Sequence, residues 1–592
     1  MEARVGNRQL LLVMGLVLAI RLPFLNQAIL GDDHIYLTEA AHALIEPLHP
    51  NHTPYVFMGR PVDLRGHSHP PLNAWVLAGL IAVWGDVKEV PFHAAYTVFS
   101  LIAVWAMWSL AKRFSPQPVW ATLLFVAVPV FLVNGNSLEA DLPFLAFWMA
   151  ATALFERHRP LACAAMALAE MTAYQAVFLT PILAVYVWLY HRRDLTAWFA
   201  TLAAPITFAA WQLFERLSTG TLPAGQLAAY LPQFHFFNPQ ARAALFIHAW
   251  FLVFPALVPG ALILAWRRRK DPDTLFLLSW IALFFACGLV VFFAGSARYL
   301  LPMAAPLALL ASRLRSKWLA IGFAAQMALG LSLAAVNYQH WDGYRRLAND
   351  VRPLTAGHRV WVDGEWGLRF YFERDHGLPL TKTERLRPGD IVVSSELGSA
   401  VTVNGPTTVL KTLGIRPAIP LRIIGLETHS GYSTISRGVW PFGVSSGPID
   451  RVRVMEVVER HPALEYLLMS APEAREQIVS GIYDLEDNSF RWMSRSGVVA
   501  LKSPAEAAPL RAVFRIPDNA PARKVTVLLD GREIASQTYA APGAYELETP
   551  PARPAGPSAT VEIDIDRTFH APPDSRDLGI VLTGLGFTKL LR

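Results

Sequence analysis

Apolar positions fall into two regimes along the chain. Up to about Val336, long apolar runs are separated by short polar clusters; beyond it, short apolar stretches alternate with Arg, Asp, Glu, Pro and Gly. A membrane-spanning helix needs roughly 20 mostly apolar residues. Runs that meet or approach this length are 8–25, 91–111, 117–134, 139–155, 174–190, 196–214, 243–266, 273–294, 298–312 and 316–336, whereas 70–85 and 160–172 are short for a span. The pattern predicts a polytopic α-helical membrane part, 1–340, followed by water-soluble parts. In the latter, Val360-Trp361-Val362, a segment 366–372 and Ile391-Val392-Val393 read as a small α/β domain over 341–488. Short strands with regular turn signals from Ser489 onward, including Asp530-Gly531, read as a β-sandwich over 489–592.

Composition agrees with a bilayer environment: 53% of the 592 residues are hydrophobic and 17% charged. Many of the basic residues behind the net charge of +6 sit in clusters between apolar runs, so orientation in a membrane accounts for them and nucleic acid is not indicated as a partner. The clusters are Arg4/Arg8, Lys112/Arg113, Arg157/Arg159, Arg192/Arg193, 267–270 and Arg313/Arg315/Lys317. If all face the cytoplasm, loops 26–69, 134–139, the turn near Thr172, 215–242 and 295–298 face outward, together with the C-terminal part. This arrangement requires that 70–85 not cross. The expectation is then about 11 spans, with 160–172 counted as one, plus a short juxtamembrane helix at 70–85. The first run, 10–24, has no small-residue cleavage site after it and reads as a retained signal anchor with a cytoplasmic N-terminus. The expected location is a cell inner membrane, with the C-terminal part periplasmic or extracellular. Cys163 and Cys287 lie in apolar runs without ligand spacing, which points to neither a disulfide framework nor a zinc ribbon.

The outward face collects the polar groups with chemical potential. Asp32 and Asp33 follow the first run and precede an amphipathic helix predicted over 33–45, which would lie on the outer leaflet and roof a cavity. His69-Pro70-Pro71-Leu72 gives a rigid start to the short helix. Glu139 and Asp141 open the next outward-facing span, and Arg298-Tyr299 sits at another interfacial helix start. A carboxylate can serve as general base to an acceptor hydroxyl or amine, while an arginine fork suits a phosphate leaving group. The same acids also suit helix N-termini, and Arg298 could anchor its helix at the interface. His34, His42, His49, His52, His67 and His69 enrich the first loop in groups that suit a divalent metal. No H-E-x-x-H spacing accompanies them, so the sequence names no metal ligand and no cofactor.

Four features occur in order: Asp33 with Tyr36 three residues on, His69-Pro70-Pro71-Leu72, the stretch ending Asp141-Leu142-Pro143, and Arg298-Tyr299-Leu300-Leu301-Pro302. Over residues 1 to about 340 the chain thereby resembles the GT-C glycosyltransferases, in the branch of protein O-mannosyltransferases and the lipid A aminoarabinose transferase. The resemblance implies a polyprenyl-phosphate-linked sugar donor, a lipid, glycan or protein acceptor, and inverting displacement at the anomeric carbon. It implies Asp32, Asp33 and Asp141 as catalytic residues, with Asp32 as the base and Asp33 standing where a glutamate is usual. Tyr36, His69, Glu139, Arg298 and Tyr299 would bind substrate. Relatives often carry a lysine after the threonine of Thr172-Ala173, so Arg60, Arg65 or Arg298 would supply that phosphate contact. Two other readings compete: a transporter or lipid flippase, which should show paired broken helices in two related halves, and a silent membrane anchor presenting a carbohydrate-binding β-sandwich.

Overall fold

The computed structural model describes residues 2–230, 238–403, 405–432, 437–518, 520–571 and 574–588. It is a helical membrane architecture followed by a β-rich C-terminal part. Among the described residues, four helices are long and apolar enough to cross a bilayer: Asn7–Phe24, Glu89–Phe114, Pro272–Val291 and Ser316–Thr355. A fifth is obtained if Pro118–Val126 and Pro129–Asn136, bent by 59°, count as one. The expected 11 spans therefore do not appear as 11 long helices, and the cause lies in local breaks. Pro129 interrupts the 117–134 run, 174–190 opens as a 3-10 turn at Tyr174–Phe178, and 243–266 divides into Pro239–Trp250 and Leu257–Arg267. A proline removes one helical hydrogen bond and clashes with the preceding turn. The short helix is Leu72–Trp84, capped by Gly85 in the left-handed region. At 1.5 Å per residue it reaches only ~20 Å, less than the ~30 Å hydrocarbon core.

The centre of the bundle is Leu301–Ala311, buried at every position, against Asp141–Leu154 and Pro272–Val291. Around it, Leu11, Val83, Trp188, Phe199, Leu217, Trp266 and Val290 are exposed. Apolar side chains on the outside are the expected complement of lipid.

Helix Glu89–Phe114 measures the distance between two chemically different ends. At one end Arg113 pairs with Glu156 and donates to Tyr186, Arg159 lies 2.6 Å from Asp194, and Arg313 donates to Thr274 Oγ1 at 2.5 Å. The basic clusters thus converge in space. At the other end Glu89 accepts from Tyr371 Oη at 3.1 Å and lies 3.7 Å from Arg345. The two ends are ~36 Å apart along the helix.

Two domain boundaries shift. Helix Ser316–Thr355 runs unbroken through 340, carrying the bundle straight into the C-terminal part. It leads to a five-stranded mixed sheet in which Val360–Asp363 pairs parallel with Ile391–Ser395, and the latter antiparallel with Asp450–Val457. The last unit is a nine-stranded antiparallel set around one apolar core that includes Val499, Phe514, Val525, Ile563 and Leu585. Tyr466–Leu468 and Ile478–Glu486 already belong to it, so it begins before Ser489.

The helix predicted at 33–45 forms over Asp33–Ala43, but it does not rest on the leaflet. It packs between Leu72–Trp84 and Trp366–Arg374, with Asp33, His34, Tyr36, Leu37 and Glu39 buried. A hairpin, Pro54–Phe57 with Arg60–Asp63, follows it. The domain after helix Ser316–Thr355 grips this loop at several points: Met58 N donates to Glu365 Oε1 at 2.6 Å, Arg369 to Val56 O, and Ile29 N to Tyr371 Oη at 2.9 Å, while His34 Nε2 lies 3.1 Å from Glu373 Oε2.

Burial pushes the Glu365 carboxyl up to about 7 despite the opposing charge of Arg369. A carboxyl raised in the folded state favours folding while protonated, and that contribution is lost as pH rises through about 7. The effect is on the order of 3 kcal/mol at full ionisation. Glu365→Gln should therefore melt with wild-type protein near pH 4, below the unfolded value of 4.5, and several degrees above it at pH 8.5, in thermal scans of detergent-purified protein. An offset that does not change with pH overturns this account.

Candidate active site

Three turns at the Glu89 end meet: the one that carries Asp32, the one at 134–141, and the start of the helix at Ala297. Their close approach begins with the backbone. Gly31 has φ +43°, and a Cβ there would lie 2.4 Å from Glu139 Oε1. Only glycine lets the chain pass Glu139 so closely. The 134–141 turn is held from behind by buried Arg21, which donates to Phe131 O at 2.7 Å and Leu132 O at 3.1 Å, and a Cβ on Gly135 would fall within its guanidinium. Asn73 Nδ2 donates to Leu138 O at 2.9 Å and is itself fixed by Tyr96 Oη at 2.7 Å.

The two adjacent aspartates have different surroundings. Asp33 is fully buried and accepts from Leu30 N at 3.1 Å, Ser137 Oγ at 3.1 Å and Leu138 N at 2.8 Å. It ties two of the turns together. Burial and the neighbouring Glu139 push its carboxyl up, against hydrogen bonds that favour the charged form. Asp32 occupies the N-cap position but makes no side-chain cap bond. Its Oδ2 instead takes Arg298 Nη2 at 2.5 Å, and its N–H donates to Glu139 Oε1 at 2.9 Å.

Arg298 is the hub. Besides Asp32, its Nη1 lies 2.5 Å from Glu139 Oε2, and its Nε faces Asp141 Oδ2 at 3.6 Å. The Asp32 side chain is 28% exposed, against 2% for Glu139, 5% for Asp141 and 10% for Arg298. Asp32 is thus the carboxylate of this group that an entering molecule can reach. The guanidinium is already shared among carboxylates, so it can meet a phosphate only when one of them gives way.

The other residues singled out from sequence divide between two places. Tyr299 lies beside Arg298, 5.8 Å from its guanidinium to the ring centroid. Tyr36 packs on His67 and His69 at 5.1 and 5.5 Å between centroids. Its phenol is pushed up by burial and by the charge of Asp141, which puts it beside the cluster. His69 Nδ1 contacts Thr172 O at 3.1 Å, and burial with His67 nearby lowers its pKa, keeping the ring neutral. Arg65 is engaged with Asp63 at 2.8 to 2.9 Å through Nε, and Arg60 sits across the hairpin from Phe57. Arg65 also lines a small cavity that His67 and His69 share. Sequence reasoning missed Asn134, which donates to Glu139 Oε2 at 3.3 Å, and Tyr432 of the outer part, which donates to Asn134 and whose carbonyl accepts from Ala297 N at 2.9 Å. The glycine before Asp32-Asp33 and the Asn-Gly-Asn run at 134–136 were the available signals. Among the described residues, the one group of His and acidic side chains at metal-ligand distances is His49, His52 and Glu215, outside this cluster.

The two aspartates should respond oppositely to substitution. Asp33→Ala strands three buried donors and should cost at least ~2 kcal/mol, lowering the thermal midpoint by several degrees. Asp32→Asn relieves like-charge crowding around a guanidinium that keeps two other acids, so its midpoint should stay within a degree or two of wild type. Equal losses would remove the distinction between a clamp and an available carboxylate.

Residues 68–214 match the family model described as dolichyl-phosphate-mannose-protein mannosyltransferase. No curated protein matches the chain. Similar solved structures include ArnT from Cupriavidus metallidurans bound to undecaprenyl phosphate, at 15% identity over 65% of this chain and 93% of that one, with a TM-score of 0.44. The same protein in the apo state gives 13% identity, 66% and 94% coverage and 0.45. Mycobacterial arabinofuranosyltransferase AftD gives 13% identity, 98% and 61% coverage and 0.40. The family match bears out, over that part of the chain, the resemblance to the protein O-mannosyltransferase branch of the GT-C glycosyltransferases.

Proposed function

We propose that this protein is a polytopic membrane glycosyltransferase that moves a sugar from a polyprenyl phosphate to a lipid, glycan or protein acceptor, with Asp32 as general base. The observation that carries this reading is the reachable Asp32 carboxylate held on Arg298 beside the buried acids Glu139 and Asp141. The family match over 68–214 supports the same chemistry.

In the reaction, an Asp32 oxygen takes the proton of the acceptor hydroxyl or amine while the acceptor heteroatom bonds to the anomeric carbon from the face opposite the phosphate. The bond from that carbon to the phosphate oxygen breaks, its electron pair leaves on the phosphate, and the sugar inverts. Protonation of Asp32 removes the charge that holds Arg298 Nη2. The freed donor can then meet the negative charge gathering on the leaving phosphate, while Glu139 and Asp141 keep the guanidinium in place. A contact that strengthens only as charge develops lowers the barrier instead of merely tightening ground-state binding.

The distribution of basic residues supports a sidedness. The basic clusters meet at one end of the bundle and the Asp32 cluster sits at the other. Under the positive-inside rule the basic end is cytoplasmic, which puts the site and the C-terminal domains on the periplasmic side of the inner membrane. Exposed apolar side chains around the bundle offer the prenyl chain a hydrocarbon surface continuous with the bilayer.

Membranes containing Asp32→Asn, assayed with radiolabelled prenyl-phosphate sugar, should transfer ~10²- to 10⁴-fold more slowly than wild type at equal expression. Wild-type turnover by Asp32→Asn would overturn the assignment of the base.

A further inference from the structure

We propose that His49, His52 and Glu215 form a divalent-metal site of the zinc class that latches the first outer loop onto the end of helix Ala203–Thr219. The three donate ligand atoms that lie within 4.8 Å of one another. His49 Nδ1 is 3.0 Å from Glu215 Oε1, and His52 Nε2 is 3.0 Å from Glu215 Oε2. Ligands about 2.0 Å from a tetrahedral ion stand ~3.3 Å from each other, so modest adjustment admits an ion between them. Two imidazoles and one carboxylate are a donor set that selects zinc and its first-row neighbours over calcium or magnesium.

Electrostatics favours an ion over a simple hydrogen-bonded trio. The Glu215 side chain is only 3% exposed and lies in the last turns of its helix, where the dipole is also negative. Its ion-pair partners among the described residues are those two histidines alone. Hydrogen bonds to the imidazoles satisfy its lone pairs, and a divalent cation bound by all three would also offset the carboxylate charge. The rings are already oriented: His49 stacks on Phe214 at 5.4 Å and 14°, and lies 4.7 Å from His52. Three protein ligands leave one position open. His52 and Glu215 also line a small cavity that His67 and His69 share, and those rings pack on Tyr36 beside the Arg298 cluster. The ion would therefore fix the loop that forms one wall next to the acceptor-facing carboxylate. This site is separate from the transfer chemistry and stands whether or not that reading holds.

The full chain, purified in detergent with any affinity tag removed, should be stripped with chelator, exposed to Co²⁺ or Zn²⁺ and dialysed. Metal is then counted by mass spectrometry, and Co²⁺ coordination is read from its visible absorption. Wild type should retain about one equivalent, with tetrahedral Co²⁺ bands and a raised thermal midpoint. His52→Ala and Glu215→Gln should retain less than about a tenth of that, while His67→Ala, outside the trio, should match wild type. Glu215→Gln keeps the size and hydrogen bonding of the site, so it decides the matter even if His52→Ala misfolds. Retention below about a tenth of an equivalent by wild type, or equal retention by Glu215→Gln, would overturn the site.

Discussion

Three carboxylates from two chain segments depend on one guanidinium. Asp32, Glu139 and Asp141 lie within 2.5 to 3.6 Å of Arg298, and all but Asp32 are nearly excluded from water. Bringing such charges together away from water is costly, and loss of the one cation would leave mutual repulsion with nothing opposing it. The surrounding structure can be understood as what holds this arrangement. Gly31 lets the chain pass Glu139, Arg21 and Asn73 brace the 134–141 turn, and Asp33 joins that turn to the segment before Asp32.

The C-terminal part takes part in this bracing. Tyr432 reaches both Asn134 and the turn at Ala297, so one of its loops bears on two of the three segments of the cluster. Tyr371 receives Ile29 N a few residues ahead of Asp32, and Glu373 faces His34 just after it. The 40-residue helix Ser316–Thr355 leads from the buried bundle into that domain. The C-terminal part is thus a support for the site's geometry, and a purely separate appendage would not make these contacts.

How much of this could be read from sequence depends on the range of each interaction. Local signals were legible: apolar runs, the existence of a helix after Asp33, though not its face, since Asp33, His34 and Glu39 are buried while Ala41 is exposed, and the ordered motifs containing Asp32, Asp141 and Arg298. The division of long runs by Pro129 or at Phe251 was legible only in part, because a bilayer-length apolar run does not reveal whether it is one helix or two. The metal trio was invisible for a different reason. Glu215 lies 163 residues from His52, so no ligand spacing exists along the chain, and only the packing of helix Ala203–Thr219 against the first loop supplies the third ligand. Arg65 could be named by type and by loop, but its pairing with Asp63 is set by the hairpin. Charge and side of the membrane do not determine which acid an arginine meets.

Asp32 and Asp33 show how one peptide bond can separate two roles. The helix beginning at Asp33 turns that side chain inward, onto the donors of Leu30, Ser137 and Leu138. Asp32, one residue outside the helix, points away from that packing and is left with a single mobile partner, Arg298. Three donors occupy the lone pairs of Asp33 and bury it in the packing, out of reach of an entering molecule. Asp32 instead meets one guanidinium, which Glu139 and Asp141 also share. The role of base proposed for Asp32 is open to it because its neighbour has taken over the structural work.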